Sequence, residues 1–460
     1  MVKELFKPRS IAVVGASRDP RKIGHVILRN IKGYGFQGKV YPINPQAEEI
    51  LGYKAYPSIL DVPDEVDVVI ISVPANAVPE VIEESGRKGV KVAVVITSGF
   101  SEVGNVDLEN RIVETARKYG MRILGPNIFG YVYTPSSINA TFGPLEVSRG
   151  NIALISQSGA LGIALMGWTI MNEIGISALL SVGNMADLDV VELSEYLADD
   201  PNTAVITVYL EGLKPGQGQK FVEGMRRVTA KKPVIIVKAG RSMRGAAAAA
   251  SHTGSLAGSD SLYEAAFKQA GVIRAYTVEE MFDVARAFAT QPLPRGENTI
   301  IITNGGGVGV LATDAAELSG VKLLDPSPEL KEKFKSVMPW FGSPKNPVDL
   351  TGQAVVENYI NALKIAHESD EIDNIVILYC RTAVLDPRDL AKAIVEFYET
   401  EKIDKTTLAG FVGGEDTYEA IKYLNRHNIP AYPSPERAVH ALSKMISYKK
   451  YLERLAASTS

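Results

Sequence analysis

Three times along the chain an apolar, β-branched run stops on a cluster of very small residues and gives way to a helical pattern. The runs are Ile11–Gly15 before Ala16-Ser17-Arg18, Ile152–Ser156 before Gln157-Ser158-Gly159, and Thr299–Thr303 before Asn304-Gly305-Gly306-Gly307. A strand that ends in a tight turn and returns as a helix is the unit of a parallel sheet with crossover helices. Near-continuous Val/Ile segments such as Val66–Val73 suit strands covered on both faces. Strands are predicted at 11–15, 39–43, 67–73, 91–96 and 121–124, then at 152–156, 176–181, 203–210 and 233–238, then at 299–303, 321–324, 375–379 and 407–412. Helical patterns fill gaps such as 77–88 and 107–118. The fold class is α/β, with three doubly wound domains.

A chain of 460 residues is too long for one core. Thr134–Asn151, rich in Ser, Pro, Gly and Asn, and Thr290–Asn298 read as linkers, which puts the domains at 1–140, 141–294 and 295–460. A net charge of −4 gives no reason to expect nucleic acid or an anionic membrane as partner. Cys380 is the only cysteine, so an internal disulfide and a thiolate metal cluster are excluded. The N-terminus shows no apolar signal segment, and no apolar run approaches the roughly 18–20 residues that cross a bilayer. A soluble, cytoplasmic protein is expected.

In the first module the turn Gly15-Ala16-Ser17-Arg18 is followed by Arg21, Lys22, Ile23 and Gly24. Backbone amides here and at the next helix start can receive a pyrophosphate, and the basic side chains suit a polyphosphate. The spacing is not G-x-G-x-x-G, and strand two ends on Asn44 where an NAD site wants a carboxylate. A phosphorylated nucleotide such as coenzyme A fits better than NAD. The same residues also suit a plain turn with solvated cations. Val73-Pro74, Thr97-Ser98-Gly99 and Gly125-Pro126-Asn127 lie at further carboxyl ends of strands, where open α/β sheets bind ligands.

In the second module, Ser156-Gln157-Ser158-Gly159 opens a helix whose free amides make a seat for phosphate, or simply a start capped by Ser158. His252 stands among Ala, Ser, Thr and Gly in 239–258, read as a long loop with a short alanine turn and with Gly245, Gly254 and Gly258 as hinges. An imidazole that captures a phosphoryl group needs one nitrogen free to attack and a carboxylate on the other. Glu211, at the end of the strand 203–210, is the candidate. An idle surface histidine and a solvated strand-end acid are the bland alternatives. A serine hydrolase is disfavoured because no G-x-S-x-G elbow occurs.

Together these motifs, with Tyr209-Leu210-Glu211-Gly212, Ser251-His252-Thr253-Gly254 and Asn346-Pro347-Val348-Asp349-Leu350, resemble the α subunits of nucleoside diphosphate-forming acyl-CoA synthetases, in particular the archaeal ADP-forming acetyl-CoA synthetases. Succinyl-CoA synthetase α subunits look like the first two modules only. The resemblance spans essentially the whole chain. It implies a Rossmann-like CoA-binding domain followed by two flavodoxin-like domains, and acetyl-CoA, phosphate and ADP/ATP with Mg2+ as reactants. It implies a phosphohistidine at His252, oriented by Glu211. It places CoA at Gly15, Ala16, Ser17, Arg18, Lys22, Val73, Pro74, Thr97, Ser98 and Asn127, and phosphate or acyl group at Gln157, Ser158, Gly159 and Asn184. It further implies an ATP-grasp β subunit in an α2β2 assembly; because this chain ends after the third module, the nucleotide-binding half is expected on that partner, with no metal on this chain.

Asn304–Gly309 resembles a phosphate loop but lacks the Gly-Lys-Ser/Thr ending, so packing is its default role. Arg381, Asn346–Leu350 and Gly413-Gly414-Glu415 sit near predicted strand ends and could reach an active site. A CoA-binding sensor or scaffold with a degenerate ligase site is the competing function, and an NAD-dependent dehydrogenase a distant third.

Overall fold

The computed structural model describes residues 2–253, 259–401 and 404–459, with the side chains of 250–253 and 458–459 excepted. It divides into two compact units, Met1–Tyr276 and Thr277–Ser460.

The first unit carries two sheets. One is wholly parallel and is built from β1 (Ser10–Val14), β2 (Lys39–Ile43), β5 (Val68–Ile71), β6 (Val92–Val95) and β7 (Arg122–Leu124), in the order β2-β1-β5-β6-β7. A two-stranded hairpin, β3 (Glu49–Ile50) with β4 (Tyr53–Lys54), stands beside it. Every residue of β1, β5 and β6 is buried, as their unbroken apolar runs require of strands with helices on both faces.

The other sheet contains β8 (Gly130–Tyr133), β9 (Ile138–Thr141), β10 (Arg149–Ser156), β11 (Ile176–Ser181), β12 (Val205–Leu210), β13 (Val234–Lys238) and β14 (Ile273–Ala275). Its order is β14-β13-β12-β10-β11-β8-β9. The strands from β10 onward run parallel, while β8 and β9 pair antiparallel as an added edge. The segment 134–151 is therefore not a linker. Its polar residues are used by the hairpin: the Asn139 amide donates to the carbonyls of Pro144 and Leu145, and Thr141 Oγ1 donates to Asn139 Oδ1 at 2.7 Å.

The two sheets share a core and are sewn together by the segment after β11. Asn184, Ala186 and Leu188 donate backbone hydrogen bonds to Pro126, Gly125 and Ile123. The buried Asp187 carboxylate takes the Ile123 N–H at 2.9 Å and Arg122 Nε at 2.8 Å. A buried carboxylate with a bidentate-capable guanidinium and a backbone donor is fully paired, the condition under which burying charge is tolerated.

The second unit holds β15 (Thr299–Thr303), β16 (Val348–Asp349), β17 (Asn374–Cys380), β18 (Thr406–Val412) and β19 (Ala431–Tyr432), all parallel, in the order β16-β15-β17-β18-β19. The strand expected at 321–324 is reduced to a single bridge between Thr299 and Leu323. Val321 gives its N–H back to Ala316, in the preceding helix, so the pairing shrinks to two bonds at one residue: Lys322 O accepts from the Thr299 N–H and the Leu324 N–H donates to Thr299 O, both at 3.0 Å. Helix Val278–Thr290 belongs to this unit, where Arg437 of the helix Pro435–Thr459 clamps Asp283 at 2.6 and 2.7 Å.

His367 gives this unit a pH response. Burial, and secondarily the charge of Lys405, hold its imidazole down to about 4, with Nε2 3.1 Å from Tyr398 Oη. Between pH about 6.5 and 4 the unfolded chain binds a proton that the native chain does not, so stability falls as the pH drops through that window. Urea melts are expected to lose about 2 kcal/mol between pH 7.5 and 4.5 from this residue, and His367→Gln should remove that part of the slope.

Candidate functional site

The first turn is shaped by two glycines. Gly15 has φ +91°, and a Cβ there would sit 2.8 Å from Ser72 Oγ and 2.9 Å from Ser72 O at the end of β5. Helix Ile23–Tyr34 descends so close that a Cβ on Gly24 would lie 2.0 Å from Gly15 O. Lys22 and Ile23 at the start of this helix and the carboxyl ends of β5, β6 and β7 face helix Gly159–Met171 of the second sheet across a cleft of about 710 Å3.

Lys22, Val73, Pro74, Thr97, Ser98, Asn127 and Gly159 all line that cleft. Gly15, Ala16, Ser17 and Arg18 are not among its lining residues. Ala16 O accepts from Asn44 Nδ2 at 2.7 Å, so the residue that spoke against NAD pins the turn instead. Ser17 Oγ accepts from the Asp19 N–H at 3.1 Å, and its carbonyl lies 2.8 Å from His25 Nδ1. Arg18 Nε donates to Glu49 O at 3.1 Å, and Arg21 is paired with Asp19. The apolar wall formed by Ile128, Phe129, Phe142 and Ile163 has no signature in residue spacing. Phe142 ends the hairpin that polar composition disguised.

On the second sheet, Ser158 Oγ caps the helix by accepting from Leu161 N–H at 3.4 Å. That helix has no acidic residue in its first turn, so nothing of its own neutralises the positive end at Gly159. Gln157 is turned inward. Its side-chain oxygen accepts from the N–H groups of Glu211 and Gly212 at 2.8 and 3.1 Å, fixing the backbone that carries Glu211. Gln157→Leu would leave two buried donors unsatisfied, at about 1–3 kcal/mol each. A fall in melting temperature together with a roughly tenfold loss of kcat is expected.

Glu211 is buried at the end of β12. Tyr209, two residues back on the same strand, is pushed up to about 12 by burial and then by the Glu211 charge. Lys238, buried at the end of neighbouring β13, stacks 4.5 Å over the ring of Tyr263. Burial lowers its pKa, against the pull of Asp260 and Glu211.

The segment 239–258 is not a loop throughout. Helix Met243–Thr253 occupies it, as the alanine run favours, and Gly245 lies inside that helix rather than at a hinge. The helix lies against the turn Ser101–Val103. His252 is its penultimate residue; its side chain, like Gly254 and Gly258, lies outside the described residues. Gly240, with φ +72° and a position where a Cβ would crowd Ala249 Cβ and Gly245 O at 3.2 Å, forms the joint between β13 and the helix.

Asn184 does not line the cleft. Its amide donates to Glu102 Oε2 at 2.6 Å and Glu109 Oε2 at 2.9 Å, and its carbonyl accepts from Asn127 Nδ2 at 3.3 Å.

In the second unit the asparagines are structural. Asn304 exchanges hydrogen bonds with the Cys380 backbone at 3.0 and 2.8 Å, Asn346 ties Thr299, Ile301 and Leu324 together, and Arg381 pairs with Asp416 at 2.7 Å. Among the described residues no group of three His, Cys, Asp or Glu is arranged to hold a metal ion, and no helix is long and apolar enough to cross a membrane.

Comparison with known proteins places the chain among CoA ligases. Residues 9–134 match the CoA binding domain, 149–288 the succinyl-CoA ligase like flavodoxin domain, and 299–456 the ligase-CoA domain. The acetate–CoA ligase [ADP-forming] I subunit alpha of Pyrococcus furiosus is 55% identical over 98% of both chains. The acetate–CoA ligase [ADP-forming] of Methanocaldococcus jannaschii is 42% identical over 97% of this chain and 63% of its own length. The structure of an acetyl-coenzyme A synthetase 1 from Ca. Korarchaeum cryptofilum in complex with phosphate and ADP superposes with a TM-score of 0.97, at 51% identity, over 100% of this chain and 99% of that one. The chain belongs to the family of ADP-forming acetate–CoA ligase α subunits.

Proposed function

We propose that this chain is the catalytic α subunit of an ADP-forming acetyl-CoA synthetase, converting acetyl-CoA, ADP and phosphate to acetate, ATP and CoA. The observation that carries the reading is the shared cleft: residues suited to CoA on one side, and the uncompensated helix end at Gly159 on the other.

In this reading CoA lies along Gly15–Arg18, Lys22, Val73-Pro74, Thr97-Ser98 and Asn127, with its thioester toward Gly159. Phosphate is held by the amides that follow Ser158 and by the helix dipole. A phosphate oxygen attacks the acetyl carbonyl carbon, the C–S bond breaks, and CoA leaves as thiolate, giving acetyl phosphate. An imidazole nitrogen of His252 then attacks phosphorus, and acetate departs with the bridging oxygen. Glu211, its backbone fixed by Gln157, accepts the other imidazole N–H and stabilises the positive ring. Helix Met243–Thr253 carries the phosphoryl group to a second site, pivoting at Gly240. Asn184, withheld from the cleft, acts on it indirectly.

The second site would lie on a partner. The relative from Pyrococcus furiosus is named a subunit alpha, and this chain covers 63% of the length of the relative from Methanocaldococcus jannaschii, so that more than a third of that protein lies outside the match. We place the ADP/ATP site with Mg2+ on an ATP-grasp β subunit, in an α2β2 complex. The test co-expresses both chains and supplies acetyl-CoA, ADP and ³²P-phosphate. ATP formation with acid-labile label on this chain is expected. Tight CoA binding with neither turnover nor label would instead support a sensor or scaffold.

A further inference from the structure

Two acids next to the cleft, Glu102 and Glu109, have no part in the reaction just described, yet each is held by several hydrogen bonds. Glu102 Oε1 takes the Gly99 and Phe100 N–H groups, and Oε2 takes Asn184. Glu109 is buried; its Oε2 takes the Ser101 hydroxyl at 2.6 Å and Asn184 at 2.9 Å, and Lys214 Nζ stands 3.6 Å from Oε1. Burial opposes the Glu102 charge, but the Asn184 amide and the backbone donors outweigh it and hold the carboxyl below its ordinary range.

An ionised carboxylate can only accept hydrogen bonds, whereas an asparagine presents a donor end and an acceptor end. With carboxylate oxygens at 2.6 and 2.9 Å, Asn184 has one tolerable orientation, Nδ2 toward the acids and Oδ1 away. That Oδ1 faces Asn127, which must therefore offer its own Nδ2, and the two meet at 3.3 Å. Asn127 has its backbone at φ +62°, its N–H bound to Thr97 O at 3.0 Å, and a place in the cleft wall. Its remaining freedom is which end of the amide the ligand meets.

We propose that Glu102 and Glu109 are positioning residues which, through Asn184, lock Asn127 with its carbonyl oxygen toward the cleft, as an acceptor for an N–H of coenzyme A. The inference rests on the reading of the cleft as the CoA site. Its chemistry is a relay of polarity: two anions at one end dictate an acceptor at the other. Glutamine in place of either acid can donate as well as accept, so Asn184 and then Asn127 become free to flip.

A double-mutant cycle on the full chain assembled with its β subunit tests this, with calorimetric Kd for CoA, KM for CoA and kcat as readouts. Glu102→Gln/Glu109→Gln is expected to raise Kd and KM about fivefold to tenfold, the effect of one lost hydrogen bond, with kcat changed less than about twofold. In an Asn127→Ala background the same pair should add nothing, because its route to the ligand is gone. Should the glutamine pair fail to fold, Asn184→Ser breaks the relay without altering the acids and should give the same cycle. Effects that add independently of Asn127, with wild-type CoA binding intact, overturn the relay alone. A wild-type chain that does not bind CoA, or Asn127→Ala binding it unchanged, overturns the CoA reading and the relay with it.

Discussion

His252→Ala is expected to abolish acid-labile phosphate on this chain and to lower kcat on the order of 10³-fold or more, while CoA affinity stays within about twofold. The size follows from the role. A nucleophile that carries the group between two sites has no substitute, whereas a residue that only orients it does. Glu211→Gln keeps the hydrogen-bond shape and loses the charge, so a smaller fall, roughly 10- to 100-fold, is expected. The alanine variant is also a clean test. Residue 252 lies in a helix preceded by five alanines, and alanine is the best helix former, so loss of activity would not come from loss of fold. Retention of the label by His252→Ala would remove the central step of the proposed reaction.

The second large effect is expected from a single methyl group at Gly24. Its Cβ would lie 2.0 Å from Gly15 O, 2.7 Å from Gly15 C and 3.1 Å from Ala16 Cα. All three are backbone atoms, so no rotamer change can relieve the contact. Either the turn moves or the helix Ile23–Tyr34 lifts, and with it the edge of the cleft at Lys22 and Ile23. Overpacking of this kind costs about 1–3 kcal/mol and at times more. We expect Gly24→Ala to lower stability by about 3 kcal/mol and to weaken CoA binding at least about tenfold. Denaturant melts and calorimetry read the two separately. Gly35→Ala, at a helix end with open space around its Cβ, is the control for the helix: its φ of +89° exacts strain without closing on the turn.

Much of the scaffold could be read in the residues because the parallel strands are buried on both faces and so appear as continuous apolar runs. Among the strands of two to four residues, β5 and β6 sit inside longer Val/Ile runs and stand out, whereas β8, β9, β14, β16 and β19 carry too little pattern to do so. The hairpin at 130–141 was hidden because its Asn and Thr side chains satisfy one another and the neighbouring backbone, which makes a buried segment look like a polar linker. In the site, residues at carboxyl ends of strands were legible, since sheet topology places them. Whether a side chain faces the ligand was not. Gln157 and Asn184 have the right chemistry at the right turns, but one is committed to the Glu211 backbone and the other to two acids. Spacing along the chain does not encode such choices, because the partners are 54 and 75–82 residues distant.

The seam made by residues 184–188 also bears on how such chains can be recombined. It bonds backbone to backbone with 123–126 and locks Asp187 onto Arg122, so the strand ends that form one wall depend on a segment folded with the other. Neither half is a cassette that carries a finished pocket. A graft that exchanges only the first 140 residues with a distant relative must also transplant the seam, or it will inherit a doorway without its frame.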